Sequence, residues 1–244
     1  MTIANLANTA HAQVQDAGTS EIRKEWILGE KVAQDLDQRY GRVDDAALLN
    51  YLQRIEMRIT DAIGADRVEI RLTGSKERLA TLLPNRVLYL SGGMLARIET
   101  ESELAGVLAH ELAHVQRGNR TVEIRFPPCV FDSTVTPRTP VDQMHDEEVR
   151  ATSDAVGYLK LADYDPLSAV EILSKLGYEN PNWGKAIRSE DLLDLRATLE
   201  AEGTPAGGYI LDSSDFIQWH AGILAALSPA TQHSPVSRAR LRRP

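Results

Sequence analysis

The sequence predicts an α+β fold in which helix predominates, on three observations. Apolar residues recur at helical spacing along most of the chain. Only two short stretches alternate in the manner of strands. The segment Leu104 to Val115 joins a well-marked helix start to an apolar run that holds two histidines four residues apart.

In chain order, residues 21–40 read as an amphipathic helix, with Ile22, Trp26, Ile27, Val32 and Leu36 near one face and Gly41 closing it. Asp44 or Asp45 caps a second helix, on which Leu48, Leu49, Leu52, Ile55, Ile59 and Ile63 keep a helical period until Gly64. Val68 to Leu72 is the first strand and Arg86 to Leu90 the second, after the turn-forming Pro84-Asn85. Gly92-Gly93 breaks that strand, and a short helix from Met94 to Ile98 leads into the histidine-bearing one. There Thr100-Glu101-Ser102-Glu103 is a T-x-x-E capping box, Leu104, Val107, Leu108, Leu112 and Val115 supply a buried face, and Gly118-Asn119 is the stop. Residues 118–140, with Pro127, Pro128, Pro137 and Pro140, read as a long loop placed like a flap over a cleft. Helices are expected over 142–161, Leu167 to Leu176 and Glu190 to Glu202. After the break Gly203 to Gly208, Asp212 to Asp215 cap a further helix to Leu227.

The 244 residues suit one large domain or a domain with an appendage. A net charge of -8 argues against a general role on nucleic acid or anionic membrane. The arginines at 238, 240, 242 and 243 read as a solvated or partner-binding end. No stretch has the unbroken apolar length of a membrane span. The single cysteine, Cys129, excludes an intramolecular disulfide and a cysteine-based zinc knuckle. It reads as a small semi-buried residue rather than as a thiol that caps a metal. Ala10-His11-Ala12 resembles a signal-cleavage site, but the residues before it lack a basic start and an apolar core.

The chemistry concentrates in His110-Glu111-Leu112-Ala113-His114, an H-E-x-x-H sequence. Residues four apart share a helix face, so His110 and His114 can present two imidazole nitrogens to one metal ion. Glu111 then stands close enough to take a proton from a water on that metal. A buried carboxylate and two imidazoles are costly unless paired or metal-bound, which weakens the alternative of a merely structural helix. A catalytic zinc takes three protein ligands and leaves a position open. Asp146, Glu147 and Glu148 are the candidates for the third, against the bland possibility of a solvated acidic helix face. His145 beside them, His220 after Trp219 and His233 in the tail are the other histidines beyond the flexible start.

These features resemble peptidase family M48, the zinc metallopeptidases, over roughly residues 25–176. The resemblance rests on Tyr51 to Ile55, on Tyr89-Leu90-Ser91-Gly92-Gly93-Met94-Leu95, on Glu103 to Val115, and on Asp163-Tyr164-Asp165-Pro166. It implies a zincin-like metallopeptidase core over 21–180, with a small β-sheet edging the cleft and helices around it. Residues 1–20 are then a flexible start and 181–244 a C-terminal helical appendage and tail. It further implies one zinc ion per chain, held by His110, His114 and Glu148, with Glu111 as general base and protein or peptide substrates. The implied function is an endopeptidase acting on extended or unfolded segments; the alternative is a zinc-bound, autoinhibited relative that serves as a binding module. At the family's spacing Ala151 falls on an alanine, while Thr152 stands where the family has an aspartate that supports a ligand histidine; Asp154 is the nearby substitute. Leu79 to Pro84 keeps only Ala80 and Pro84 of a family stretch that borders the cleft. Substrate is expected to add to an edge strand near Arg86 to Leu90. His233 falls near a family histidine that approaches the metal, either steadying the oxyanion or blocking the open position. A periplasmic or secreted location is expected from the resemblance and the Ala10-His11-Ala12 stretch.

Overall fold

The structure is a computed structural model that describes residues 23–24, 26–117, 141–179 and 187–227, with only backbone for 141–144 and 223–227. The expected loop over 118–140, Cys129, the Gly118-Asn119 stop, His11, His233 and the arginine-rich tail lie outside these residues. The elements are α1 (26–40), β1 (Arg42–Val43), α2 (Ala46–Ile63), β2 (Glu69–Thr73), β3 (Ala80–Leu82), β4 (Val87–Ser91), α3 (Gly92–Leu95), α4 (Glu101–Gln116), α5 (Val141–Leu161), α6 (Leu167–Glu179), α7 (Ser189–Glu202) and α8 (Ser214–Leu227). The fold is mostly helical around a small four-stranded sheet, in agreement with the α+β expectation.

The sheet order is β1-β2-β4-β3, with β2 and β4 parallel and the outer pairs antiparallel. Alternation divides the sheet's two faces. Ile70, Leu72, Leu88, Leu90 and Ala80 join the large core with α2 and α4, while Val87, Tyr89, Leu79 and Leu83 pack with Ala33 and Leu36 of α1. Tyr89 pins that second layer by donating to the Ala33 carbonyl at 2.8 Å and to Asp37 at 2.9 Å. On α1 the buried face is Gly29, Ala33 and Leu36. Trp26 and Ile27 do not belong to it: they are 51% and 50% exposed. Gly29 explains the shift, because its backbone lies against Asn85 so closely that an added Cβ would sit 2.7 Å from the Asn85 nitrogen.

The expectation of an edge strand near Arg86 to Leu90 is also corrected. That strand, β4, lies inside the sheet with both edges paired, and the outer strand beside it is β3. In the β3–β4 ladder Leu83 N donates to Val87 O and Ser91 N to Leu79 O, both at 2.9 Å. Alternation then turns the N–H groups of Ala80 and Leu82 away from β4. Pro84-Asn85 turns the chain with Arg86 in the left-handed region, at φ 61. Gly92 and Gly93 do not simply end β4; they open α3, whose first turn is capped by Ser91 accepting from Met94 N at 3.0 Å. Gly93 has no room for a side chain, since a Cβ would fall 2.1 Å from the Lys76 carbonyl.

Helix α4 is buried from Glu101 to Ala113. Thr100 caps it by accepting from Glu103 N at 3.0 Å, and Glu103 answers by accepting from Glu99 N. Gly106 lets α6 approach until an added Cβ would lie 3.0 Å from Ala169 Cα. The later part of the chain closes over the start of α4. Asp212, expected to cap its own helix, accepts from Glu101 N at 2.9 Å, and Ser102 N donates to the Leu211 carbonyl at 3.0 Å. Ile187, Leu192, Leu199 and Phe216 enter the same core cluster as α4.

Buried Glu101 is the hub of this end. It accepts from Tyr51 at 2.9 Å, from Tyr164 at 3.1 Å and from Ser213. Burial and the Glu101 charge push both phenols above their ordinary range. Glu101→Ala leaves those hydroxyls without their acceptor and is expected to destabilise the fold by about 3 kcal/mol, read from urea unfolding.

Candidate metal centre

Two helices bring the centre together. On α4, His110 and His114 lie one turn apart on the face toward α5, with ring centroids 4.8 Å apart at 84°. On α5, Glu148, Ala151, Thr152, Ala155 and Leu159 form a buried stripe at helical spacing that packs against α4. Small residues at 151 and 155 let α5 come close, and Glu148 is the acid on this stripe. Asp146 is exposed and Glu147 half-buried, so burial separates three adjacent acids. His110 Nε2 lies 3.0 Å from Glu148 Oε2 and 3.1 Å from His114 Nε2, and His114 Nε2 lies 3.4 Å from the same carboxylate oxygen.

One nitrogen from each histidine and one carboxylate oxygen fall within 4.8 Å of one another. Two imidazoles and a carboxylate are a donor set that suits zinc, and the buried cluster is compact enough for one ion, so these residues fit the cation the sequence implies. The centre opens on one side: the His114 side chain is 17% exposed, against 1% for His110 and 4% for Glu148.

The electrostatics favour a cation. Burial opposes charge on His114, but the Glu148 carboxylate, helped by Glu111 and Glu147, outweighs it and holds the imidazole up at about 9. Burial also opposes charge on Glu148, yet His114 and His110 keep it well below the usual carboxylate range. His114 sits in the last turn of α4, where the helix dipole adds to the attraction for positive charge.

Glu111 points the other way along α4, toward the sheet. Its Oε2 accepts the outward N–H of Leu82 at 3.1 Å, joining the H-E-x-x-H carboxylate to the edge strand. Thr152 Oγ1 lies 3.4 Å from His110 Nδ1 and 2.7 Å from the Glu148 carbonyl. Asp154 does not stand in for the aspartate missing at 152, because it is paired with Arg117 at 2.5 Å. His145 is buried and faces Asp191 of α7 at 3.4 Å. His220 stacks on Phe216 at 5.3 Å, a packing role. Leu82 was missed from the sequence because it contributes a backbone group, which residue type does not reveal. Glu101 was read only as part of a capping box, although the two tyrosines that bind it were already visible as separate signals.

Among known proteins, residues 50–127 match the model of peptidase family M48. No curated protein matches the chain. The matched stretch begins near the start of α2, takes in β2, β3, β4 and the whole of α4, and so contains His110, Glu111 and His114. Residues 50–127 are thus similar to peptidase family M48, and Glu148, beyond the matched stretch, completes a His110–His114–Glu148 group that could hold a metal ion.

Proposed function

We propose that the protein is a zinc-dependent endopeptidase with a zincin-like core that cleaves extended or unfolded protein segments. The observation that carries this is the meeting of His110, His114 and Glu148 beside Glu111 and β3, which is an outer strand among the described residues. Bound zinc would lower the pKa of water toward ~7 and polarise the scissile carbonyl. His110 Nε2, His114 Nε2 and the Glu148 carboxylate would hold it.

The rest of the work belongs to the chain. Glu111 takes the proton of the attacking water on its carboxylate and passes it to the leaving amine. To do so it gives up the Leu82 N–H that it holds here. The same N–H, facing away from the ladder, then becomes available to a substrate carbonyl. Substrate lies extended along Ala80–Leu82 and adds a strand to the sheet, which reads backbone and tolerates many side chains. The burial of His110 and Glu148 keeps water from their far sides, and the exposed flank at His114 faces the incoming peptide bond.

Three outcomes are expected. Glu111→Gln keeps one zinc per chain by plasma mass spectrometry but lowers casein cleavage about a thousandfold, whereas Glu148→Ala loses both zinc and cleavage. Leu82→Pro removes an N–H that the β3–β4 ladder does not use, and should raise KM for an extended peptide while zinc content stays unchanged. Zinc uptake must also displace the proton that Glu148 holds on His114 up to about 9. Calorimetric titrations near neutral pH in buffers of different ionisation enthalpy should therefore show proton release, with apparent affinity rising as pH approaches that value.

A further inference from the structure

Burial ends on α4 where the metal centre begins to open. The helix is enclosed as far as Ala113, but His114 and Val115 are half-buried and Gln116 is exposed. His114 therefore sits in a last turn with little apolar packing to hold it, and helix ends of that kind fray. A metal ligand needs the opposite. Ligand atoms around a tetrahedral zinc stand roughly 3.3 Å apart. His110 Nε2 and Glu148 Oε2 are 3.0 Å apart, the two histidine Nε2 atoms 3.1 Å, and His114 Nε2 and Glu148 Oε2 3.4 Å. Keeping that spacing means keeping the last turn of α4 against α5.

Arg117, which ends α4, supplies a tie. It stands three residues after His114 and so beside it on the helix. Its Nε lies 2.5 Å from Oδ2 of Asp154, six residues after Glu148 on α5. The two side chains are 33% and 29% exposed, so water screens this pair less than Arg58–Asp163, at 44% and 75%. Burial and the Asp154 carboxylate push the Tyr158 phenol up while Arg117 lowers it, so both charges also reach a neighbouring side chain of α5.

We propose that Arg117 and Asp154 are positioning residues of the metal centre: their ion pair pins the last turn of α4 to α5 and so holds His114 at ligating distance from Glu148. The proposal rests on reading His110, His114 and Glu148 as the zinc site. Ala151 and Ala155 let the helices come close along the enclosed part of α4, and the ion pair fixes its half-buried end. A slack last turn would have to be ordered when zinc binds, and that ordering weakens affinity.

The test is the zinc affinity of the full chain by chelator competition, set beside urea unfolding of the metal-free protein. Arg117→Gln and Asp154→Asn should each weaken zinc binding about three- to fivefold, the size expected of a partly exposed pair, with the urea midpoint little changed. Removing both charges together should cost no more than removing one, since each acts only through the other. Asp154→Glu keeps the carboxylate and should bind zinc nearly as the wild type does. Glu202→Gln, which breaks the Lys160–Glu202 pair at the far end of α5, should leave zinc affinity unchanged. The proposal is overturned if either single variant binds zinc as tightly as the wild type, if the two losses add, or if Glu202→Gln weakens binding as much. Should one single variant fail to fold, the other and the double variant still decide. Absence of zinc uptake by the wild type would overturn the site reading itself; uptake that ignores the pair overturns the role of Arg117 and Asp154 alone.

Discussion

The structure turns on the burial of α4. From Glu101 to Ala113 that helix has no face in water, yet it carries two glutamates at its start and H-E at its centre. Each of those groups has to be met from outside the helix, because an unpartnered buried charge or polar group is expensive. Glu101 is met by tyrosines from α2 and from the α5–α6 turn, and by Ser213. Glu103 is met by Lys175 of α6 at 2.9 Å and by the backbone of Glu99. Glu111 is met by the backbone of β3 and His110 by Glu148 of α5. The neighbours of α4 are therefore fixed in place by what they must supply to it.

This arrangement separates two kinds of polar burial on one helix. At the start the partners are hydroxyls and a lysine from several elements, held in a closed network that serves only to anchor. Two and a half turns on, the partners are one carboxylate and a second imidazole, left on a side where water can still arrive at His114. Lys175 and the tyrosines fix the helix against α2 and α6. The rigid end thus holds the end with His110, Glu111 and His114 at a set distance from β3, as the proposed proton transfer beside a substrate-binding edge would require.

Much of this was legible in the residues. The limits of α2 followed from Asp45 and Gly64, which cap it as expected, with Gly64 in the left-handed region. The start of α4 followed from Thr100 and Glu103. The residues alone left Asp146, Glu147 and Glu148 equivalent, and helix packing distinguishes them: the stripe of Ala151 and Ala155 turns Glu148 inward. Strand order was not legible. Val87 to Leu90 is apolar throughout because both faces of the strand are covered, yet the same run suits an edge strand backed by helices. Trp26 and Ile27 were assigned to the core by period alone. A glycine at the contact, where backbone meets backbone, leaves them outside. The capping of α4 by Asp212 was also hidden, since local spacing suggests that an acid caps the helix that follows it.

That last contact links residues 111 positions apart in the chain, and the Ser213 contact to Glu101 spans 112. The first turn of the histidine-bearing helix is thus completed by residues made much later. During synthesis the front of α4 has neither its acidic cap nor its third hydroxyl until Asp212 and Ser213 have left the ribosome. The nascent chain therefore carries His110, Glu111 and His114 before the groups that complete the first turn of their helix have been made.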